Sequence, residues 1–207
     1  MEKSYYTNER REVLDLINER PQTVLELGCG GGTFGHLLKT KYNCTVTGIE
    51  LFSSAAEKAR EVLDQVYNES LDEFDFCKLG KYDLIVANDI LEHLLDPWRV
   101  VEQLREHLTD NGMFIASIPN IQNHKILTSL IKGRWDYVDE GILDRTHLRF
   151  FTRETAAELF AVNGYSINRI VPLNVDEVSK TNILKKVLKF LRPDWYALQF
   201  AIIAKKA

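Results

Sequence analysis

Cysteine is scarce in this chain, with three in 207 residues. Cys29, Cys44 and Cys77 are odd in number and have no paired metal-ligand spacing, so they read as reduced thiols and no metal site is expected. Long apolar stretches are missing as well. No uninterrupted run approaches the roughly 20 residues that a membrane-spanning helix needs. The opening residues, Met1 to Tyr6, lack the apolar region of a signal peptide, and the expectation is a cytoplasmic chain. There is no excess of positive charge: 26 Lys and Arg stand against 30 Asp and Glu, a formal charge of −4. Such a balance gives no global field to hold a polyanion, which disfavours nucleic acid as partner and leaves a small molecule. No internal repeat or low-complexity tract interrupts the chain.

What is present is the composition of an ordinary globular protein, 45% hydrophobic and 27% charged. The length suits one α/β domain over residues 1–207. Thr7 is placed to cap a helix running to about Arg20, with Val13, Leu14 and Ile17 on its apolar side, and Pro21 stops it. Thr23 to Leu27 reads as a first strand, Cys44 to Ile49 as a second and Val66-Tyr67 as a short third. Ser54 to Glu57 has capping-box spacing and opens a helix to about Asp64. Tyr82 to Ala87 is a buried strand. Asp96-Pro97 starts a helix with Val100, Val101, Leu104 and Leu108 inward, and Asp110-Asn111-Gly112 turns the chain into a fifth strand, Met113 to Ile118. Alternating strands and helices argue for a parallel, doubly wound sheet, because parallel neighbours need helical crossovers. Residues 119–151 suit a cover over the sheet's edge. Thr152 caps a further helix, Tyr165 to Val171 is a sixth strand and Leu198 to Ala204 a seventh, leaving 172–197 as an insertion before it.

The polar motifs fall at the carboxyl ends of these strands, where open α/β sheets bind ligands. Gly28-Cys29-Gly30-Gly31-Gly32 places four glycines in five positions between a strand and a helix. Missing side chains there let a ligand approach the backbone, and exposed N–H groups face an anion. Glu50 closes the second strand, where a carboxylate can accept both hydroxyl protons of a ribose. These features do not separate two cofactor classes, since Gly30 to Gly35 also fits the dinucleotide pattern of a nicotinamide-dependent oxidoreductase.

Three segments resemble class I S-adenosylmethionine-dependent methyltransferases of the small-molecule branch. Val24-Leu25-Glu26-Leu27-Gly28-Cys29-Gly30-Gly31-Gly32 is similar to the family's first motif. Tyr82 to Leu94, with Asp89-Ile90-Leu91-Glu92-His93-Leu94 at its end, is similar to the fourth strand and following helix of quinone-biosynthesis methyltransferases. Leu108 to Pro119 resembles the branch's fifth-strand segment. The resemblance implies a Rossmann-like three-layer α/β sandwich, its seven-stranded sheet mostly parallel with the last strand antiparallel. It implies S-adenosylmethionine as donor and S-adenosylhomocysteine as product. Glu26, Gly28, Gly30, Gly32, Glu50 and Asp89 are then the cofactor residues, with Glu69 standing where the family usually shows an adenine-binding Asp.

Asp144-Arg145-Thr146-His147-Leu148-Arg149-Phe150-Phe151-Thr152 resembles a segment of methyltransferases encoded among polysaccharide genes, which points to a hydroxyl of a sugar, glycolipid or related metabolite as acceptor. His147 and His93 are the expected bases, because imidazole titrates near neutral pH. Asn120, Arg145 and Arg149 are the expected substrate contacts. Ile183, Leu184, Val187, Leu188 and Leu191, bordered by Lys180, Lys185, Lys186, Lys189 and Arg192, suit a helix packed on the domain or weak peripheral contact with an anionic membrane. A non-catalytic cofactor-binding protein is the remaining alternative.

Overall fold

The computed structural model describes residues 9–177 and 183–207. Seven strands form one sheet: β1 (Thr23–Leu27), β2 (Thr45–Ile49), β3 (Gln65–Tyr67), β4 (Tyr82–Asn88), β5 (Leu108–Pro119), β6 (Tyr165–Val175) and β7 (Ala197–Lys206). Their order is β3-β2-β1-β4-β5-β7-β6. β7 runs antiparallel to both of its neighbours, and the remaining pairs are parallel. This is the Rossmann-like arrangement expected. The order reverses between β1 and β4, so the polar ends of those two strands open a crevice.

The helices are α1 (Arg11–Leu14), α2 (Thr33–Tyr42), α3 (Ser53–Arg60), α4 (Pro97–Arg105), α5 (His124–Ile131), α6 (Arg153–Ala161) and α7 (Ile183–Leu191). The two-residue period of the strands divides the core. Leu25, Leu27, Ile85, Ala87, Phe114 and Ala116 pack on one face of the sheet. Val24, Leu84, Val86, Met113 and Ile115 pack on the other. Central strands therefore show near-continuous apolar runs, which is why β1 and β4 were legible.

Several boundaries differ from expectation for physical reasons. The N-terminal helix begins at Arg11, because Arg10 has a left-handed backbone (φ 45°) that a helix cannot pass through, and it ends at Leu14, well short of Arg20. Val13, Leu14 and Ile17 are buried as expected, while Thr7 lies outside the described residues. Helix α3 begins at Ser53 with Phe52 as its cap residue and no side-chain cap bond, so the box at Ser54 is not used. It ends at Arg60, short of Asp64. The Asp64 carboxylate instead accepts the Val46 N–H at 2.7 Å and fastens the turn to β2. Asp110-Asn111-Gly112 lies inside β5, where the pairing with β4 shifts register between Tyr82 and Leu84, rather than preceding the strand. Strand β6 continues past Pro172 to Val175, paired with Ala197, so the insertion is shorter than expected. As the edge strand it tolerates the missing N–H of proline. Of the apolar stripe on α7, Val187 and Leu191 are exposed rather than packed, and Lys180 lies outside the described residues.

Candidate active site

The loop after β1 turns on three glycines in the left-handed region, Gly28 (φ 62°), Gly30 (φ 53°) and Gly32 (φ 80°). Side chains would strain each of them. Gly32 is the cap residue of α2. Beneath the loop the Glu26 side chain is buried, with Oε2 unpartnered. A Cβ at Gly35 would come within 2.6 Å of that oxygen, so Gly35 is the residue that leaves room for Glu26. Burial pushes the Glu26 carboxyl up to about 8, opposed by the Gly35 N–H and reinforced by the charge of Glu50.

Glu50 sits at the end of β2 and is buried. Its Oε2 accepts the Gly30 N–H and its Oε1 the Phe52 N–H, each at 2.8 Å. One carboxylate therefore joins the glycine loop to the start of α3. Asn68 completes this corner by donating to the Glu50 and Leu51 carbonyls, both at 2.9 Å.

A cavity of about 420 Å³ opens beside the loop. Its wall includes Glu26, Gly28, Gly30, Asn88 and Asp89 from β1, β4 and the turns after them, and Asn123, Lys125, Asp136, Ile142, Leu143 and Asn174 from the segment after β5 and from β6. Asp89, left-handed at φ 50°, accepts from Gln199 Nε2 at 2.7 Å and from Ser117 Oγ at 3.2 Å. It also pairs with the Arg10 guanidinium, which donates to Ser117 Oγ at 2.8 Å and to Gln199 Oε1 at 3.1 Å. Burial raises the Asp89 carboxyl while Arg10 pulls it down. The result is a buried cation and anion side by side at one end of the cavity.

The structure gathers Glu26, Gly28, Gly30 and Asp89 on the cavity wall, with Gly32 and Glu50 directly behind the loop. It does not bring the other expected residues there. Glu69 is half-exposed and salt-bridged to Lys78 Nζ at 2.7 Å. Asn120 donates to the Asp194 and Ala197 carbonyls at 2.9 and 3.0 Å and accepts from Gln122 N–H at 3.0 Å, so its amide serves the backbone. Arg145 bonds Asp139 on the surface at 3.0 Å, and Arg149 donates to the Leu95 carbonyl.

His147 is buried behind Ile142 and donates through Nδ1 to the Ile142 carbonyl at 3.0 Å. The half-buried His93 meets it ring to edge at 4.7 Å between centroids. Neither lines the cavity. Missed as site residues were Arg10 and Gln199, which have no local pattern to mark them, and Glu92. Glu92 follows the recognised Asp89, yet its burial depends on the cover segment folding over it. That burial and the neighbouring Asp89 charge push its carboxyl well up.

With this geometry in place, the comparisons decide between the two cofactor classes. A family model described as a methyltransferase domain matches residues 3–169. The chain belongs to the methyltransferase-domain family. The oxidoreductase alternative is thereby set aside, and the likeness to class I S-adenosylmethionine-dependent methyltransferases holds for fold and motif order. A ubiquinone biosynthesis O-methyltransferase of Aromatoleum aromaticum is 28% identical over 162 residues, covering 70% of this chain and 68% of that protein. One of Actinobacillus pleuropneumoniae is 30% identical over 123 residues, 52% of each, so there the match spans about half the relative's length. A solved S-adenosylmethionine-dependent methyltransferase from Archaeoglobus fulgidus superposes with a TM-score of 0.73 at 17% identity, covering 98% of this chain and 93% of that one. This methyltransferase shares its fold.

Proposed function

We propose that this methyltransferase transfers a methyl group from S-adenosylmethionine to a hydroxyl of a small molecule, a sugar, glycolipid or related metabolite. The observation that carries the donor is the paired Arg10 guanidinium and Asp89 carboxylate beside three left-handed glycines. A methionine end is a zwitterion, and this pair offers a cation for its carboxylate and an anion for its ammonium. The unpartnered Glu26 Oε2 adds a buried hydrogen-bonding atom to the same wall. Glu50 would hold the ribose, and the exposed Leu51 and Phe52 beside it offer apolar faces to a purine. When bound, the donor supplies an electrophilic methyl carbon.

The acceptor reading is supported by the far wall, where Asn123, Lys125, Asp136 and Asn174 place polar groups among Ile126, Ile142 and Leu143. A mixed wall of this kind suits a polyhydroxylated ring with an apolar face. Transfer is an in-line displacement, so alignment of acceptor oxygen and methyl carbon is the main contribution asked of the protein. We assign His93 and His147 to holding the wall, since neither lines the cavity and His147 bonds the carbonyl of Ile142, which does. Incubation of the protein with methyl-labelled donor and defined sugar, glycolipid, phenolic and amine acceptors tests the reading. A labelled O-methyl sugar supports it; label appearing solely on nitrogen acceptors overturns it, and tight donor binding without transfer to any acceptor would favour a non-catalytic role.

A further inference from the structure

Behind the acceptor wall lies a cluster that methyl transfer does not use. Ligand atoms of Glu92, His93 and His147 lie within 4.8 Å of one another, contributed by the turn after β4 and by the cover segment. Glu92 is 1% exposed and His147 4%. Both carboxylate oxygens of Glu92 and the Nε2 of His147 have no hydrogen-bond partner. Buried polar atoms left so are rare in folded proteins and call for an occupant.

A direct hydrogen bond does not answer the need. His147 Nε2 is 3.9 Å from Glu92 Oε1, beyond hydrogen-bond reach. The spacing suits a shared ion instead: metal bonds of about 2.0–2.2 Å at the tetrahedral angle set two ligands roughly 3.3–3.6 Å apart, within a few tenths of an ångström of this pair. Outer contacts are arranged as metal-binding imidazoles require. His147 Nδ1 donates to the Ile142 carbonyl at 3.0 Å, and His93 Nδ1 lies 3.2 Å from the Thr146 carbonyl, which fixes both rings. The backbone is already docked here, since the Glu92 carbonyl accepts the Leu148 and Arg149 N–H groups at 2.8 and 3.0 Å.

We propose that Glu92, His93 and His147 bind a divalent transition-metal ion, zinc in the first instance, which clips the acceptor-side cover to the end of β4. Two imidazoles and one carboxylate favour such an ion over magnesium or calcium, which take oxygen ligands. The proposal does not rest on the donor assignment, so its failure leaves that assignment standing.

The test uses full-length protein stripped with a chelator, titrated with Zn²⁺ by calorimetry and with Co²⁺ by visible absorption. One ion per chain is expected, with Co²⁺ bands that lack thiolate charge transfer and a rise in Tm on binding. Glu92→Gln, His93→Ala and His147→Ala should each weaken binding at least tenfold, with folding checked by circular dichroism. His93 is half-buried, so His93→Ala decides the matter if the buried variants fail to fold. Absence of stoichiometric binding, a thiolate band placing the ion on cysteine, or unchanged affinity in folded His93→Ala overturns the proposal.

Discussion

Arg10 and Asp89, 79 residues apart in the sequence, meet as a buried ion pair at the donor end of the cavity. Breaking a buried pair from one side strands a charge, at a cost on the order of 3–5 kcal/mol. Arg10→Ala is therefore expected to lower Tm by about 6–20 °C for a domain of this size. Affinity for S-adenosylhomocysteine should fall at least tenfold. Adding Asp89→Asn should return part of the stability and none of the affinity. Thermal melts and calorimetry on the three proteins check both halves.

Glu50 holds two backbone N–H groups in the structure and is assigned the ribose when the donor binds. Hydrogen bonds to a charged group contribute about 1.5–3 kcal/mol each. Glu50→Ala should thus weaken S-adenosylhomocysteine binding by tenfold or more and also loosen the glycine loop. Unchanged affinity by calorimetry would remove Glu50 from the site.

Much of this was legible because the signals are local. Strand β1 and its glycines are consecutive, and burial on both faces makes β4 a continuous apolar run. Glu50 was found by its place at a strand end. Arg10 was not legible, since its meaning comes from a left-handed backbone and partners contributed by β5, β7 and the end of β4. Glu69 and Arg145 were misplaced in the site for the opposite reason. Each is held by a near neighbour on the surface, Lys78 and Asp139, and local charge pairing was a readable signal. Asp110-Asn111-Gly112 has turn chemistry, but the pairing of Leu108 and Met113 with β4 on either side of it absorbs it into a strand with a register shift.

Glu26 makes stability pH-dependent. Its carboxyl is raised from 4.5 to about 8 in the fold, so between those values the native state binds the proton more tightly than the unfolded chain. The stabilisation is fully present below about pH 4.5 and is lost as pH rises through about 8, by up to about 1.4 kcal/mol per pH unit. Glu26→Gln keeps the shape without the ionisation. Its Tm should fall less than that of the parent between pH 5 and pH 8.5, and parallel curves would contradict the assignment.

His147 faces Glu92 rather than the cavity. His147→Ala is expected to raise the acceptor KM and lower kcat by less than about tenfold, roughly 1.4 kcal/mol of barrier. The acidic limb of the pH–rate profile should persist. A fall in kcat of about 10²–10⁴ with loss of that limb would instead make His147 the general base.

Whether the glycine loop and the Arg10–Asp89 pair bind S-adenosylmethionine is open to direct test. Calorimetric titration of the protein with S-adenosylhomocysteine, beside an identical titration with NADH, addresses it most directly. One S-adenosylhomocysteine per chain is expected to bind saturably, with no heat of binding from NADH. Saturable binding of NADH with none of S-adenosylhomocysteine would contradict the donor assignment.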